Sequence, residues 1–562
     1  MKFKRLPLRA YNVLFHTHTV SGIVISLALF VIFFCGAFTL FRHEIYHWEN
    51  QDVRRIKEAP VDYEQVLTVL QTNHPNFAPE KSFTLRLASE EMPVVQFFGS
   101  EHVIGDTARK FQRFRAKLDP VTLAEIPSDP KPTTVSDTLY RLHFFGQIPV
   151  IGLWLSGLTA LFFLFAIVTG VLIHWQDIVK KFYAFSIRRS AKQIWTLGHT
   201  SLGIIGLPYQ VMYAITGALF GLLTLLLAPS AYILFDGNRD QIIAAVAPER
   251  AARPDSVNYH FPPVSLNELQ KTVDTTFADY ATTTVRVSNY GKETGLALFY
   301  VDDHATIQGN GVLALQIHGG KEVARVDPVE KGYTETVDDL LLRLHFGTYG
   351  NPLTKWIYFI LAIMTCFMLL SGIMLWQKAR DNARYTDKQR RFHYVITKWM
   401  ICVSLALFPG VALLFLANKW IPIDTPGHTT YVNAVFFLGW VALIATGLFR
   451  KGYFSVYRWY LALGGVLSLL VPITNGIVTG DWFWIAIADG MGYVAGVDLF
   501  FLSVGIVTLG LLRYPARNWT RGQQVLARKT TPNPSATDTA KPSVKKPRSK
   551  PRMPQRSTIP KG

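Results

Sequence analysis

The chain has 562 residues, 49% of them hydrophobic and only 17% charged, with a formal net charge of +18. Soluble domains carry about a quarter charged residues, so this composition excludes an ordinary soluble enzyme, and several apolar runs reach the roughly 20 residues that a bilayer span needs. The three cysteines, Cys35, Cys366 and Cys402, all lie in apolar runs and form no C-x-x-C pair, which excludes a disulfide framework, a cysteine zinc site and a thioether-attached haem.

In chain order, the basic start from Met1 to Arg5 is similar to the head of a secretory signal. The apolar stretch from Val20 to Leu40 is too long for a signal core, and no small-residue cleavage site follows, so it reads as an uncleaved first span. Eight spans are predicted, at about 12–43, 150–175, 197–227, 353–377, 394–417, 431–449, 456–473 and 494–513. Lys and Arg crowd the N-terminus and the links after the second, fourth and sixth spans, whereas 474–492 has none and 418–430 has Lys419 alone. By the positive-inside rule both termini are cytoplasmic, and the even number of spans agrees.

Two polar segments, 48–138 and 230–340, then fall outside, in the periplasm of a bacterium. Each carries alternating strand-like runs (Ser82–Leu87 and Thr283–Val287) and a proline turn (Asp119-Pro120 and Asp327-Pro328). Two small α+β modules are expected. The resulting division is 1–47, first span; 48–138, first module; 139–229, second and third spans; 230–340, second module; 341–380, fourth span; 393–513, four further spans; and 514–562, a tail. From Arg513 onward 13 Lys and Arg face the single acid Asp538, with almost no aromatics, so the tail is expected to be disordered and to lie near anionic lipid rather than nucleic acid. The fold class is mainly α, a polytopic membrane helix bundle with two small α+β periplasmic modules.

The first four spans repeat. A shift of 181 carries His18, Thr19, Gly22, Ile23 and Gly36 onto His199, Thr200, Gly203, Ile204 and Gly217. A shift of 202 carries Arg141, Leu142, His143, Phe144, Trp154 and Gly170 onto Arg343, Leu344, His345, Phe346, Trp356 and Gly372. Each of these histidines opens a long apolar segment, and ionisable residues beside a span are uncommon and usually functional. Imidazole is the usual proximal ligand of haem iron. Pseudo-symmetry then predicts two haem b sites, with His18 facing His199 at the cytoplasmic ends and His143 facing His345 at the outer ends.

The remaining histidines have no mate in register: His43 aligns with Thr224 and His174 with Trp376, which leaves both as reserve ligands only. His74, His102, His260, His304, His318 and His428 show no metal-ligand spacing. Arg141 and Arg343, two residues before their histidines, are assigned to the propionates of the outer haem, because guanidinium grips carboxylate in a fork.

The His-x-x-x-Gly openings (His18…Gly22, His199…Gly203), the Leu-His openings (Leu142-His143, Leu344-His345) and the Asp-Pro turns outside together resemble the PepSY-associated transmembrane helix family over about residues 10–380. That family includes bacterial inner-membrane ferric-siderophore reductases with two b haems. The resemblance implies PepSY-like modules, bis-imidazole ligation by the four matched histidines, and electrons passed outward to ferric siderophore iron. Spans five to eight depart from the family pattern and carry no histidine pair. No Gly-rich dinucleotide fingerprint follows any strand, so the donor is expected to be quinol or a separate cytoplasmic reductase. The alternatives are a haem b subunit feeding another periplasmic oxidoreductase, and a haem-free membrane protein that binds peptides or peptidases. A transporter is disfavoured because intramembrane charges are sparse.

Overall fold

The computed structural model describes residues 6–103, 110–126, 134–178, 191–238, 241–242, 262–303, 306–307 and 309–513. The tail 514–562, His260 and His304 lie outside them. Helix α1 (Leu8–Thr39) leads into the short α2 (Arg42–Glu49), and α3 (Tyr63–Asn73) opens the first polar segment. Helix α4 (Val135–His143) precedes α5 (Ile151–His174), and α6 (Ala191–Ile205) precedes α7 (Leu207–Phe235). Helix α8 (Leu266–Thr276) opens the second polar segment, and α9 (Tyr333–Phe346) precedes α10 (Pro352–Arg380). The C-terminal part holds α11 (Asp387–Trp420), α12 (His428–Phe449), α13 (Gly452–Thr479), the short α14 (Phe483–Ala488) and α15 (Gly492–Leu511).

Eight of these, α1, α5, α7, α10, α11, α12, α13 and α15, are long and apolar enough to cross a membrane. The chain is a multi-pass membrane protein. Its spans are apolar on every side, so periodicity does not say which face turns inward. Small side chains say it instead. In α5 the residues Gly157, Thr159 and Ala160 are buried while Leu158, Leu161, Phe162 and Phe165 are exposed. A Cβ on Gly157 would lie 2.7 Å from the backbone of Gly221, so α5 and α7 touch backbone to backbone there.

The third span is not the unbroken 197–227 helix that its hydropathy predicts. It stops at Ile205, turns at Gly206, and restarts with Pro208 in the first turn of α7. Proline lacks the N–H that an interior position would donate and its ring clashes with the preceding turn, so Pro208 forces a restart. The break lets α6 pack against α10 while α7 packs against α5. The second and fourth spans also begin later than their histidines: His143 and His345 end or nearly end the separate short helices α4 and α9.

The two polar modules form one sheet. Strands β1 (Phe83–Arg86), β2 (Val95–His102), β3 (Phe111–Leu118), β4 (Ala281–Ser288), β5 (Leu296–Asp302), β6 (Gly311–Gln316) and β7 (Glu322–Val326) run antiparallel in the order β3-β2-β1-β4-β5-β6-β7. The modules join where β1 pairs with β4, with Leu85 opposite Val285. The inward residues of both halves make one core, including Val66, Leu85, Phe97, Val285, Phe299 and Leu313. The duplication survives in detail. Helices α3 and α8 meet end to end, with Glu64 accepting from Leu266 N–H and Asn267 bridging Asp62 and the Tyr63 N–H. Asp119 accepts from the Val121 and Thr122 N–H groups as Asp327 does from those of Val329 and Glu330.

Spans five to eight, the sequence's blank region, are tied to the repeat by a buried polar cluster below α2. Trp48 Nε1–H donates to Asp498 at 2.8 Å, Asn475 donates to the same carboxylate at 2.9 Å, and Arg54 donates to Asp481 at 2.7 Å. Lys419 Nζ donates to the carbonyl oxygens of Trp48 and Glu49 and lies over the Trp48 ring. Every charge here has a partner, as burial requires. We expect Asp498→Ala, which strips the buried Trp48 and Asn475 donors of their acceptor, to cost about 2–4 kcal/mol. Thermal unfolding in detergent should show a midpoint several degrees lower, with Asp498→Asn falling in between.

Candidate functional site

Each of the four matched histidines faces its mate. The ring centroids of His18 and His199 are 6.1 Å apart, and those of His143 and His345 are 6.2 Å apart. Two imidazoles gripping one metal through Nε2 sit at this spacing, since a metal–nitrogen bond of about 2 Å on each side plus the ring radii comes to ~6 Å.

The protonation of each ring follows from its support. Nδ1 of His18, His143 and His199 lies 2.9, 2.8 and 3.0 Å from the carbonyl oxygens of Ala166, Ile32 and Met368. A carbonyl only accepts, so Nδ1 carries the proton in all three. His345 Nδ1 is 2.8 Å from Thr216 Oγ1, whose own hydroxyl donates to Met212, so here too Nδ1 donates. The Nε2 lone pairs are left free, with no hydrogen bond among the described residues. A second hydrogen bond that orients the ligand ring is the usual companion of metal ligation by histidine.

Each bond reaches a helix other than the histidine's own, and glycine makes the room. A Cβ on Gly170 would lie 3.0 Å from the His18 ring, and one on Gly372 would lie 3.1 Å from the His199 ring. Ala166 and Met368 are 202 positions apart, as are Gly170 and Gly372, so this far pair keeps the repeat's symmetry in full. The sheet-side pair keeps it in part. Gly36 gives room to His143, where a Cβ would lie 2.7 Å from Nδ1, but its mate Gly217 instead faces Ala160.

Between His143 and His345 lies a cavity of about 510 Å³, within the range of sites for ligands and cofactors. Ile32, Phe33, Phe163 and Phe220 give it apolar walls, and Arg42, His43, Glu91 and Lys355 stand around it as its ionisable groups. Neither arginine that the sequence singled out lines this cavity. Arg141 donates to the Gly146 carbonyl at 2.7 Å, closing the turn after α4. Arg343 is buried and held by Asp302, Asn310 and the carbonyls of Asp303 and Thr306, which fastens α9 to the sheet. Both sit two residues before their histidines, about 200° around a short helix from the direction those rings take. Of the reserve ligands, His43 pairs with Glu91 at 3.2 Å, and His174 closes α5 and joins neither pair.

Two imidazoles alone cannot complete the shell of a bare metal ion, and among the described residues no three His, Cys, Asp or Glu side chains converge to do so. The arrangement fits a metal whose other positions come from a flat ligand brought with it.

Residues 15–379 match the family described as the PepSY-associated TM region. The chain belongs to that family. No curated protein matches it. The PepSY-associated region includes all four matched histidines and both halves of the sheet and ends at the last turn of α10, so α11 to α15 lie beyond it.

Sequence reasoning missed Thr216, which replaces a carbonyl as a ring support, and Glu49. Glu49 is buried and accepts from the N–H groups of Thr134, Val135 and Ser136, capping the helix that carries His143. Its signal, an acid between two spans, is too common to single out. Burial pushes its carboxyl up from an ordinary 4.5 to about 7, although the three N–H groups pull it down. A raised carboxyl pKa means the folded state holds the proton more tightly. That contribution is therefore full below about 4.5 and lost as pH rises through about 7. Glu49→Gln keeps the Oε1 acceptor and removes the titration. Its melting temperature should fall less than the wild type's across that pH range, as read by thermal scans at fixed ionic strength.

Proposed function

We propose that this protein is a di-haem b electron carrier of the bacterial inner membrane, with both termini cytoplasmic, which reduces ferric siderophore iron in the periplasm. The observation that supports it is the pair of facing imidazole couples, each with its rings held from behind by Nδ1 and open at Nε2. A haem b held by each imidazole couple would supply one-electron transfer.

The chain's own residues do the rest. His18 and His199 hold one site at the far end of the four-span bundle, and His143 and His345 hold the other beside the sheet. Along α1, 14 residues separate His18 from Ile32, the support of His143, a rise of about 21 Å. Aromatic side chains fill the sheet-side half of that interval. The Tyr213 ring centroid lies 5.1 Å from that of His345 and 4.7 Å from that of Tyr209, tilted to both, and Phe33 meets Phe163 edge-on at 5.6 Å. They keep water out and keep the rings in place. Iron released as Fe(II) is held weakly by hard oxygen chelators, so no protein acid or base is required for release. Quinol or a cytoplasmic reductase supplies the electrons.

The protein purified in detergent should show b-type bands in a dithionite-reduced minus oxidised spectrum, with two haems per chain by pyridine haemochrome. His143→Ala or His345→Ala should leave one, and His18→Ala or His199→Ala should leave the other. Gly36→Ala should disturb the same site as His143→Ala. Reduced protein should be re-oxidised by ferric siderophores; re-oxidation only by another periplasmic acceptor would favour a subunit of a different oxidoreductase. A colourless protein from haem-replete cells would end this reading.

A further inference from the structure

We propose that Arg42 anchors a carboxylate of the molecule filling the cavity between His143 and His345; on the di-haem reading, which this inference rests on, that carboxylate is a haem propionate. The charged groups at this cavity are not equivalent. Glu91 answers both His43, at 3.2 Å, and Lys355, at 2.8 Å, and Lys355 also reaches Glu44 at 3.5 Å. The Lys355 cation and the His43 imidazole are thus already spoken for by protein carboxylates. The Arg42 guanidinium lines the same cavity and makes no hydrogen bond or ion pair among the described residues. It is held in place by stacking over the Tyr140 ring, 4.7 Å from its centroid. Tyr140 is one turn before His143 on α4, so the helix that aims the imidazole also positions the cation.

The placement of Arg42 is electrostatically unhelpful to the fold. It is the first residue of α2, the end at which a helix dipole disfavours a cation. A half-buried guanidinium with no anion among the described residues, fixed on an aromatic face beside an apolar cavity, is preorganised for a planar, bidentate acceptor. An apolar ring system carrying acid groups at one edge satisfies both parts of the cavity, its walls and this cation. Arg42 thereby takes the role that sequence reasoning gave to Arg141 and Arg343.

The test uses the full chain in a His199→Ala background, which leaves this site alone to hold haem. Protein produced under haem-limited growth is loaded with haem b or with its dimethyl ester, whose carboxylates are masked. Transfer of the pigment to apomyoglobin is then timed, and the midpoint potential is measured. Loss of one charge-assisted contact should speed release of haem b from Arg42→Gln about tenfold, with Arg42→Lys between. The ester should leave the Arg42-containing protein as fast as haem b leaves Arg42→Gln, and Arg42→Gln should release both pigments alike. Because esterification alters no residue, this arm stands even where a variant folds poorly. An unchanged ester penalty in Arg42→Gln would overturn the inference. So would normal haem release and potential joined to a higher KM for carboxylate-bearing ferric chelates, which would assign the contact to the acceptor. Wild-type protein that takes up no haem would instead overturn the proposed function.

Discussion

Four hydrogen bonds from Nδ1, each reaching a helix other than the histidine's own, are the constraint on which the site depends. An imidazole at the end of a short helix has two torsions to fix and, inside an apolar bundle, few polar groups to fix them with. A single bond to a neighbouring helix does three things at once. It sets the ring plane, puts the proton on Nδ1, and ties the spacing of two helices to the direction of one lone pair. The glycines follow from the same requirement, since a ring that bonds a facing helix's carbonyl lies flat on that helix and leaves no space for a Cβ at Gly36, Gly170 or Gly372.

The sheet and the added spans can be understood as support for those rings. His143 and His345 do not sit on spans but on α4 and α9, helices of 9 and 14 residues that hang from the sheet's last strands. Such helices have little stability of their own. Arg343 pins α9 to the sheet through Asp302 and Asn310. Glu49 caps α4, and the cluster around Arg54, Lys419, Asp481 and Asp498 holds the segment that presents Glu49. Spans five to eight thus stand behind one imidazole of four.

The eight spans, the repeat and the pairing of the histidines were legible because each leaves a mark in one dimension: run length, residue identity at fixed offset, and symmetry. The break at Gly206 was also marked, by Pro208, but hydropathy averaged over it. The joining of the modules through β1 and β4 left no such mark. Edge pairing is decided by backbone groups that all residues share, so Phe83–Arg86 and Ala281–Ser288 each read as ordinary strands. The arginines misled for a related reason. Position two before a histidine on a helix is about 200° around the axis, so sequence neighbours of a ligand point away from it, whereas Arg42 reaches the cavity from a separate helix.

Among the ring supports and their glycines, the departures from symmetry are on the sheet side. At the far pair, supports and glycines repeat at the same offset. At the sheet-side pair, one ring is held by a backbone carbonyl and the other by a hydroxyl; one has its glycine and the other does not; and Arg42 aligns with Leu223 and Lys355 with Leu153. A duplicated bundle has no reason to lose symmetry where its two halves meet equivalent neighbours. It has one where the two halves meet different neighbours, and α15 packs against α2 of the first half, with Trp48 bonded to Asp498. The added helices therefore break the equivalence of the repeats at the end of the bundle where the cavity and Arg42 lie, which makes that end the specialised one.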